Sequence, residues 1–183
     1  MYRFNNIWFD PGHYAGANVD PRNPHYSEGD VMLKLGLRLK QAFAERGIKI
    51  NLTREDGRNL TLVARGKKAA NADLFISLHT DYPADDTLIF YSLSRLEDKA
   101  MAEHIGQTVA RYLGVGFRGA RTRASDLSTP QNPRDYYGVI RNAVNSGAKH
   151  VFLLEHCGHA QMAVDTDEKI ERIVQAYLEL FAG

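Results

Sequence analysis

The sequence has 183 residues, 44% hydrophobic and 25% charged, which suits one compact domain and excludes disordered, collagen-like and coiled-coil chains. Its net charge of +1 lacks the basic footprint of a nucleic-acid binder, so no nucleic-acid partner is expected. The single cysteine, Cys157, excludes an internal disulfide, and no apolar run reaches the length of a signal peptide or a membrane span, so no membrane insertion is expected.

The first predicted strand covers residues 7–9 and runs into Asp10-Pro11-Gly12-His13, where proline and glycine turn the chain sharply. A helix follows, with Ser27 as N-cap, Asp30 three residues on in a capping-box arrangement, and Glu28 in its first turn. Met32, Leu35, Leu39 and Phe43 share one face of it, and Gly47 is its stop signal. Strands are expected at 48–52, 74–78, 88–91 and 151–154, and further helices at 60–71, 96–113 and 166–181. Asp165 and Glu168 read as a capping box for the last helix, whose apolar face holds Ile170, Ile173, Val174, Tyr177 and Phe181.

Several strands are apolar on consecutive residues, as strands covered on both faces are. The expectation is therefore an α/β single domain with a central, mostly parallel twisted sheet flanked by helices on both faces. Residues 114–138 form the one long irregular stretch, with Arg118, Arg121, Arg123 and Arg134 against Asp126 and Asp135. A binding edge and a solvated excursion fit that stretch equally well.

Three polar residues fall where α/β folds place their sites. His13 follows the first strand, Glu28 starts the first helix, and His79 follows the strand at 74–78. Two imidazoles and a carboxylate are a common ligand set for catalytic zinc, with the fourth position left to water. A second carboxylate must then move protons, and Glu155, closing the run 151–154, reaches the same sheet edge. Taken singly, each residue also has an ordinary reading: a strand-end histidine as a hydrogen-bonded structural residue, Glu28 as an acid favoured by the helix dipole.

The ordered set Asp10-Pro11-Gly12-His13, Ser27-Glu28, Thr53-Arg54-Glu55-Asp56, Arg65, Asn71-Ala72-Asp73, Ser77-Leu78-His79 and Leu153-Leu154-Glu155 resembles one known family. It is similar to the zinc-dependent N-acetylmuramoyl-L-alanine amidases of the amidase-3 type, found in bacterial autolysins and phage endolysins. The resemblance implies Zn2+ on His13, Glu28 and His79, with Glu155 as the catalytic glutamate. The implied reaction hydrolyses the amide between the lactyl group of N-acetylmuramic acid and the first L-alanine of the stem peptide, so peptidoglycan is the expected partner of a monomer.

Tyr14 stands where the family commonly has glycine, and Asp81 where asparagine is frequent. The run Glu155-His156-Cys157-Gly158-His159, with Tyr136-Tyr137-Gly138-Val139-Ile140-Arg141, is closer to the clostridial and phage-endolysin branch. Tyr14, Asp81, His156, His159 and the Tyr136-Tyr137 pair are the candidates for contacting substrate, and the two histidines also read as partners that orient the site. Asp10 is expected to hold a ligand histidine by its second nitrogen. Arg54 and Arg65 are expected in ion pairs, Cys157 as an inert thiol, and His25, His104 and His150 as ordinary histidines.

Residues 1–183 read as one catalytic domain, with any cell-wall-binding domain outside this chain. Action on the bacterial cell wall is expected, after secretion in mature form or holin release of a phage-encoded protein. The competing readings are a zinc peptidase of carboxypeptidase type acting on cell-wall peptides and a non-catalytic peptidoglycan-binding module. The module would lack a ligand or the base, and this chain has all of them.

Overall fold

The computed structural model describes residues 2–183. Six strands form one sheet in the order β4-β1-β5-β8-β6-β7. They are β1 (Ile7–Pro11), β4 (Ile50–Leu52), β5 (Leu74–Asp81), β6 (Thr87–Tyr91), β7 (Phe117–Arg121) and β8 (His150–Gly158). All neighbours are parallel except β8 and β6, so the sheet is mostly parallel, as its apolar runs led one to expect. A two-stranded antiparallel hairpin, β2 (Val19–Asp20) and β3 (Asn23–Ser27), stands apart from it.

Alternation along the strands sorts side chains into two cores. Leu74, Ile76 and Leu78 of β5 join Phe152 and Leu154 of β8 in the larger core. That core lies under α1 (Glu28–Ala44), α3 (Lys99–Leu113) and α6 (Thr166–Phe181). Phe75, Leu88, Phe90, Val151 and Leu153 face the other way, against the short helices α2 (Leu62–Lys68) and α4 (Gly138–Asn145). The second face is thus covered thinly, and the polar residues of the strands emerge on it.

The expected faces of α1 and α6 are buried as predicted. Ser27 caps α1, its hydroxyl accepting from the Asp30 N–H at 3.3 Å. Asp30 does not close the box, since its carboxylate instead accepts from the Gly16 N–H at 3.0 Å. The expected box at α6 does not form either: Asp165 has φ 50 and makes no capping bond. This left-handed backbone turns its side chain away from the first-turn N–H groups, and the Thr166 hydroxyl donates to the Met162 carbonyl at 2.8 Å.

Other boundaries differ. β5 and β8 run past their apolar cores, to Asp81 and Gly158, so His79 and Glu155 lie inside strands and not beyond them. The stretch at 114–138 contains β7, and α4 and the five-residue α5 (His159–Ala163) are too short, at little more than two turns and less, for their period to stand out.

Candidate metal centre and catalytic site

Period-two alternation places Asp10, Ser77, His79 and Glu155 on the thinly covered face. Asp10 is the register partner of Ser77, and His79 that of Glu155, so the four polar side chains form two adjacent rows at the carboxyl edge. His13 reaches them through the Pro11-Gly12 turn, where a Cβ on Gly12 would lie 2.5 Å from His79 Cε1, so only glycine fits. His13 itself is left-handed, at φ 57, a conformation that costs a non-glycine residue about 1–2 kcal/mol.

Two buried arginines hold that turn. Arg54, 1% exposed, donates to the carbonyls of Pro11 at 3.0 Å, Gly12 at 2.8 Å, Gly29 at 2.6 Å and Asp56 at 2.9 Å. Among the described residues it makes no ion pair, contrary to expectation: it gathers backbone carbonyls from the turn, the start of α1 and the loop after β4. Arg65 does pair, with Asp10 at 2.7 Å, and also donates to the Pro11 carbonyl at 2.8 Å and to the His13 carbonyl.

Glu28 enters from the start of α1, which lies close under the loop: a Cβ on Gly29 would sit 1.9 Å from the Tyr14 carbonyl oxygen. Its Oε1 accepts from the Thr80 N–H at 2.9 Å and lies 2.9 Å from His79 Nδ1. Its Oε2 lies 3.0 Å from His13 Nε2 and accepts from the Asn18 amide. The ligand-type atoms of His13, Glu28 and His79 all fall within 4.8 Å of one another. Burial opposes ionisation of Glu28, but the histidines His13, His159 and His79 around it hold it well below the usual carboxylate range. Burial would likewise lower His79, yet Glu28 raises it to about 9.

Asp10 does not touch a histidine. The Ser77 hydroxyl donates to Asp10 at 2.6 Å and lies 3.2 Å from His79 Nε2. Asp10 thus reaches the imidazole through one intervening hydroxyl, while the other ring nitrogen, Nδ1, faces Glu28. Asp10 is engaged elsewhere because Arg65 and the Thr53 hydroxyl occupy its other oxygen.

Glu155 has a buried Oε2 with no hydrogen-bond partner, and burial raises its carboxyl to about 7. An unpartnered, proton-holding carboxyl facing His79 across one strand spacing is placed to give and take a proton. Two cavities open beside it, sharing Tyr137 as a wall. One, of about 430 Å³, is lined by His13, Tyr14, Arg65, His79 and Tyr137. The other, of about 460 Å³, is lined by Asp81, Arg118, Arg121, Arg123, Tyr137 and Glu155.

His156 does not line a cavity. It is fully buried, its Nδ1 2.8 Å from the His79 carbonyl and its Nε2 3.0 Å from the Tyr177 hydroxyl, and burial lowers it to about 4. Strand alternation explains this, since it points to the face opposite Glu155. It braces the backbone of His79. His159, 2% exposed, lies behind Glu28, with its Nε2 3.5 Å from Oε2 and both ring nitrogens unpartnered. Cys157 is buried and pushed up to about 12, an inert thiol. Asn18, Thr80 and Ser77 escaped the sequence reading; only Ser77, two residues before His79 on the same strand face, carried a usable signal.

The family model described as N-acetylmuramoyl-L-alanine amidase matches residues 7–175. The chain belongs to this amidase family. It is similar to an endolysin of Bacillus phage SPP1, 28% identical over 138 residues that cover 69% of this chain and 49% of the endolysin. The chain thus spans about half the length of that curated relative. Its fold is like that of Cwp6 from Clostridium difficile, with TM-score 0.77 and 22% identity over 94% of this chain and 28% of that one. It is also like the catalytic domain of CwlV, an N-acetylmuramoyl-L-alanine amidase from Bacillus (Paenibacillus) polymyxa, with TM-score 0.74, 22% identity, and 96% and 97% of the two chains covered. Among the described residues, no helix is long and apolar enough to cross a membrane.

Proposed function

We propose that residues 1–183 are the catalytic domain of a zinc-dependent amidase that cleaves the bond between N-acetylmuramic acid and L-alanine in bacterial peptidoglycan. The observation that carries this reading is the convergence of His13, Glu28 and His79 within 4.8 Å, beside Glu155 with its buried, unpartnered Oε2, in a chain of this family. Two imidazoles and one carboxylate fit zinc, and two of the three are oriented from outside, His79 by Ser77 and Glu28 by Thr80 and Asn18. Bound there, zinc would supply an acidified water and a polarised amide carbonyl.

The chain's own residues do the rest. Glu155 takes a proton from the attacking water and delivers it to the leaving alanine amine, a task suited to a carboxyl near pH 7. The Arg65-braced turn keeps His13 in its left-handed conformation. Tyr14 and Tyr137 wall the first cavity, which gives the sugar side a largely apolar bed. The reading places the protein's action at the cell wall, after release by secretion or by a holin.

The direct test is zinc content together with lysis of purified cell walls. His79→Ala is expected to lose zinc and all lytic activity, whereas His159→Ala keeps zinc with affinity weakened about 10- to 100-fold, because it only backs Glu28. Full zinc occupancy in His79→Ala would remove the proposed ligand set. A peptidase of carboxypeptidase type would liberate carboxyl-terminal amino acids, where the amidase exposes the L-alanine amine.

The pH dependence of the metal-free protein follows from the same groups. His79 and Glu155 bind protons more tightly in the fold than at their ordinary values of 6.5 and 4.5, at about 9 and about 7. Both therefore stabilise the metal-free chain at low pH, and that stability is lost as pH rises through about 7 and about 9. Glu28 works with the opposite sign, but below its ordinary 4.5 and so outside this window. Protons compete with zinc for the ligands. The Tm increment on adding zinc is expected to grow from about pH 6 to about pH 9; an increment flat across that range would contradict the assignment.

A further inference from the structure

β7 departs from regular pairing at one point. Between the partners Thr87–Phe117 and Ile89–Ala120, β7 advances three residues while β6 advances two. Gly119, inside that step, has φ +102, open to glycine, and the extra residue makes a β-bulge. In an unbroken strand, residues three apart face opposite sides. The bulge instead lets Arg118 and Arg121 face one side, and both line the cavity that Glu155 closes. Arg123 joins them, its guanidinium 3.6 Å from the Tyr136 ring centroid and 3.4 Å from the Tyr137 hydroxyl.

The charges in this cavity do not cancel. Arg118 is neutralised by Asp81 at 2.7 Å. Among the described residues, Arg121 donates only to the Arg118 carbonyl, at 2.9 Å, and Arg123 only to a tyrosine hydroxyl, so neither meets a carboxylate there. Two guanidiniums, one of them stacked in place on an aromatic ring, are left facing an open cavity next to the proposed catalytic carboxyl. Guanidinium forks match carboxylates.

We propose that this cavity is a subsite for a carboxylate of the stem peptide, within two residues of the cleaved amide, with Arg121 and Arg123 as specificity residues. The inference rests on the amidase reading. The lactyl carboxyl is consumed in the amide itself, so the nearest anion belongs to the peptide side. Two extended residues reach about 7 Å, within the compass of a cavity of about 460 Å³. The polar, arginine-lined cavity thus takes the peptide, and the more apolar one the sugar.

The test compares two soluble substrates, N-acetylmuramoyl-L-alanyl-D-glutamate with its γ-carboxyl capped as the amide and a free α-carboxylate, and the counterpart with both carboxyls amidated. The zinc-loaded protein is expected to prefer the carboxylate about tenfold or more in kcat/KM. Arg121→Gln with Arg123→Gln is expected to erase the preference through KM, at unchanged zinc content and Tm, and Arg121→Lys to retain part of it. Equal hydrolysis of both substrates by the parent protein, or a preference that survives both glutamine substitutions, overturns the subsite and leaves the amidase reading standing. Hydrolysis of neither substrate overturns both. Phosphate-bearing wall polymers are an alternative source of anion: a dependence on Arg121 seen only with intact walls, and lost on these phosphate-free fragments, also overturns the proposal.

Discussion

Glu155→Gln is expected to bind zinc as the parent protein does and to lose cell-wall lysis by about 10²- to 10⁴-fold, the usual contribution of a positioned acid–base group. The substitution is nearly isosteric, and Glu155 Oε2 has no hydrogen-bond partner to lose, so the fold has no reason to change. Burial raises the carboxyl to about 7, which is where a group must titrate to accept and return a proton in one turnover. Glutamine fills the space and can do neither. Zinc content, Tm and turbidity loss on purified walls measure the three parts of this expectation. Lysis at the parent rate would end the proposed role of Glu155, whatever its geometry.

Arg54→Leu is the substitution expected to cost the most stability. Arg54 is 1% exposed and donates to four backbone carbonyls, those of Pro11, Gly12, Gly29 and Asp56. Leucine would remove this donor from all four; the Pro11 carbonyl keeps Arg65 at 2.8 Å, and each acceptor left dry costs about 1–3 kcal/mol. Even if water reaches most of them, a loss of about 3 kcal/mol is expected. For a chain of this size that lowers Tm by roughly 6–12 °C. Because Pro11 and Gly12 carry the turn to His13, and Gly29 adjoins Glu28, zinc affinity should fall with Tm. Arg54→Lys restores the charge but cannot serve the carbonyls with a planar fork, and so should recover only part of the loss. A variant that melts within a degree or two of the parent would show that the loop holds itself.

The parts of this architecture that rest on local pattern were legible before any coordinates. Runs such as 74–78 and 151–154 announced buried strands, and Met32, Leu35, Leu39 and Phe43 announced the buried face of α1. Polar residues at the ends of apolar runs pointed to His13, His79 and Glu155, and the family resemblance made one site of them. What escaped depends on irregularity or on distance. β7 is short and broken by the bulge at Gly119, so its residues show no alternation to read. Ser77 reaches Asp10 across 67 positions, and Arg54 reaches Pro11 across 43; side-chain bonds over such separations leave no mark in spacing. Of the two readings of His156, substrate contact fails and an orienting partner holds, because β8 continues past Glu155 and one further residue of strand sends a side chain to the opposite core.

The unequal cover of the two faces divides the labour of the molecule. Three long helices press on one side of the sheet, while α2 and α4, of seven and eight residues, cover part of the other. Brief local openings cost least where few apolar contacts must part. The thin side, at Tyr137 and the α4 end, is therefore where local opening costs least, while β5 and β8 are clamped from behind. His79 and Glu155 ride on those strands. Access to the site and the geometry of the site are thus borne by different layers, and the first can vary without disturbing the second.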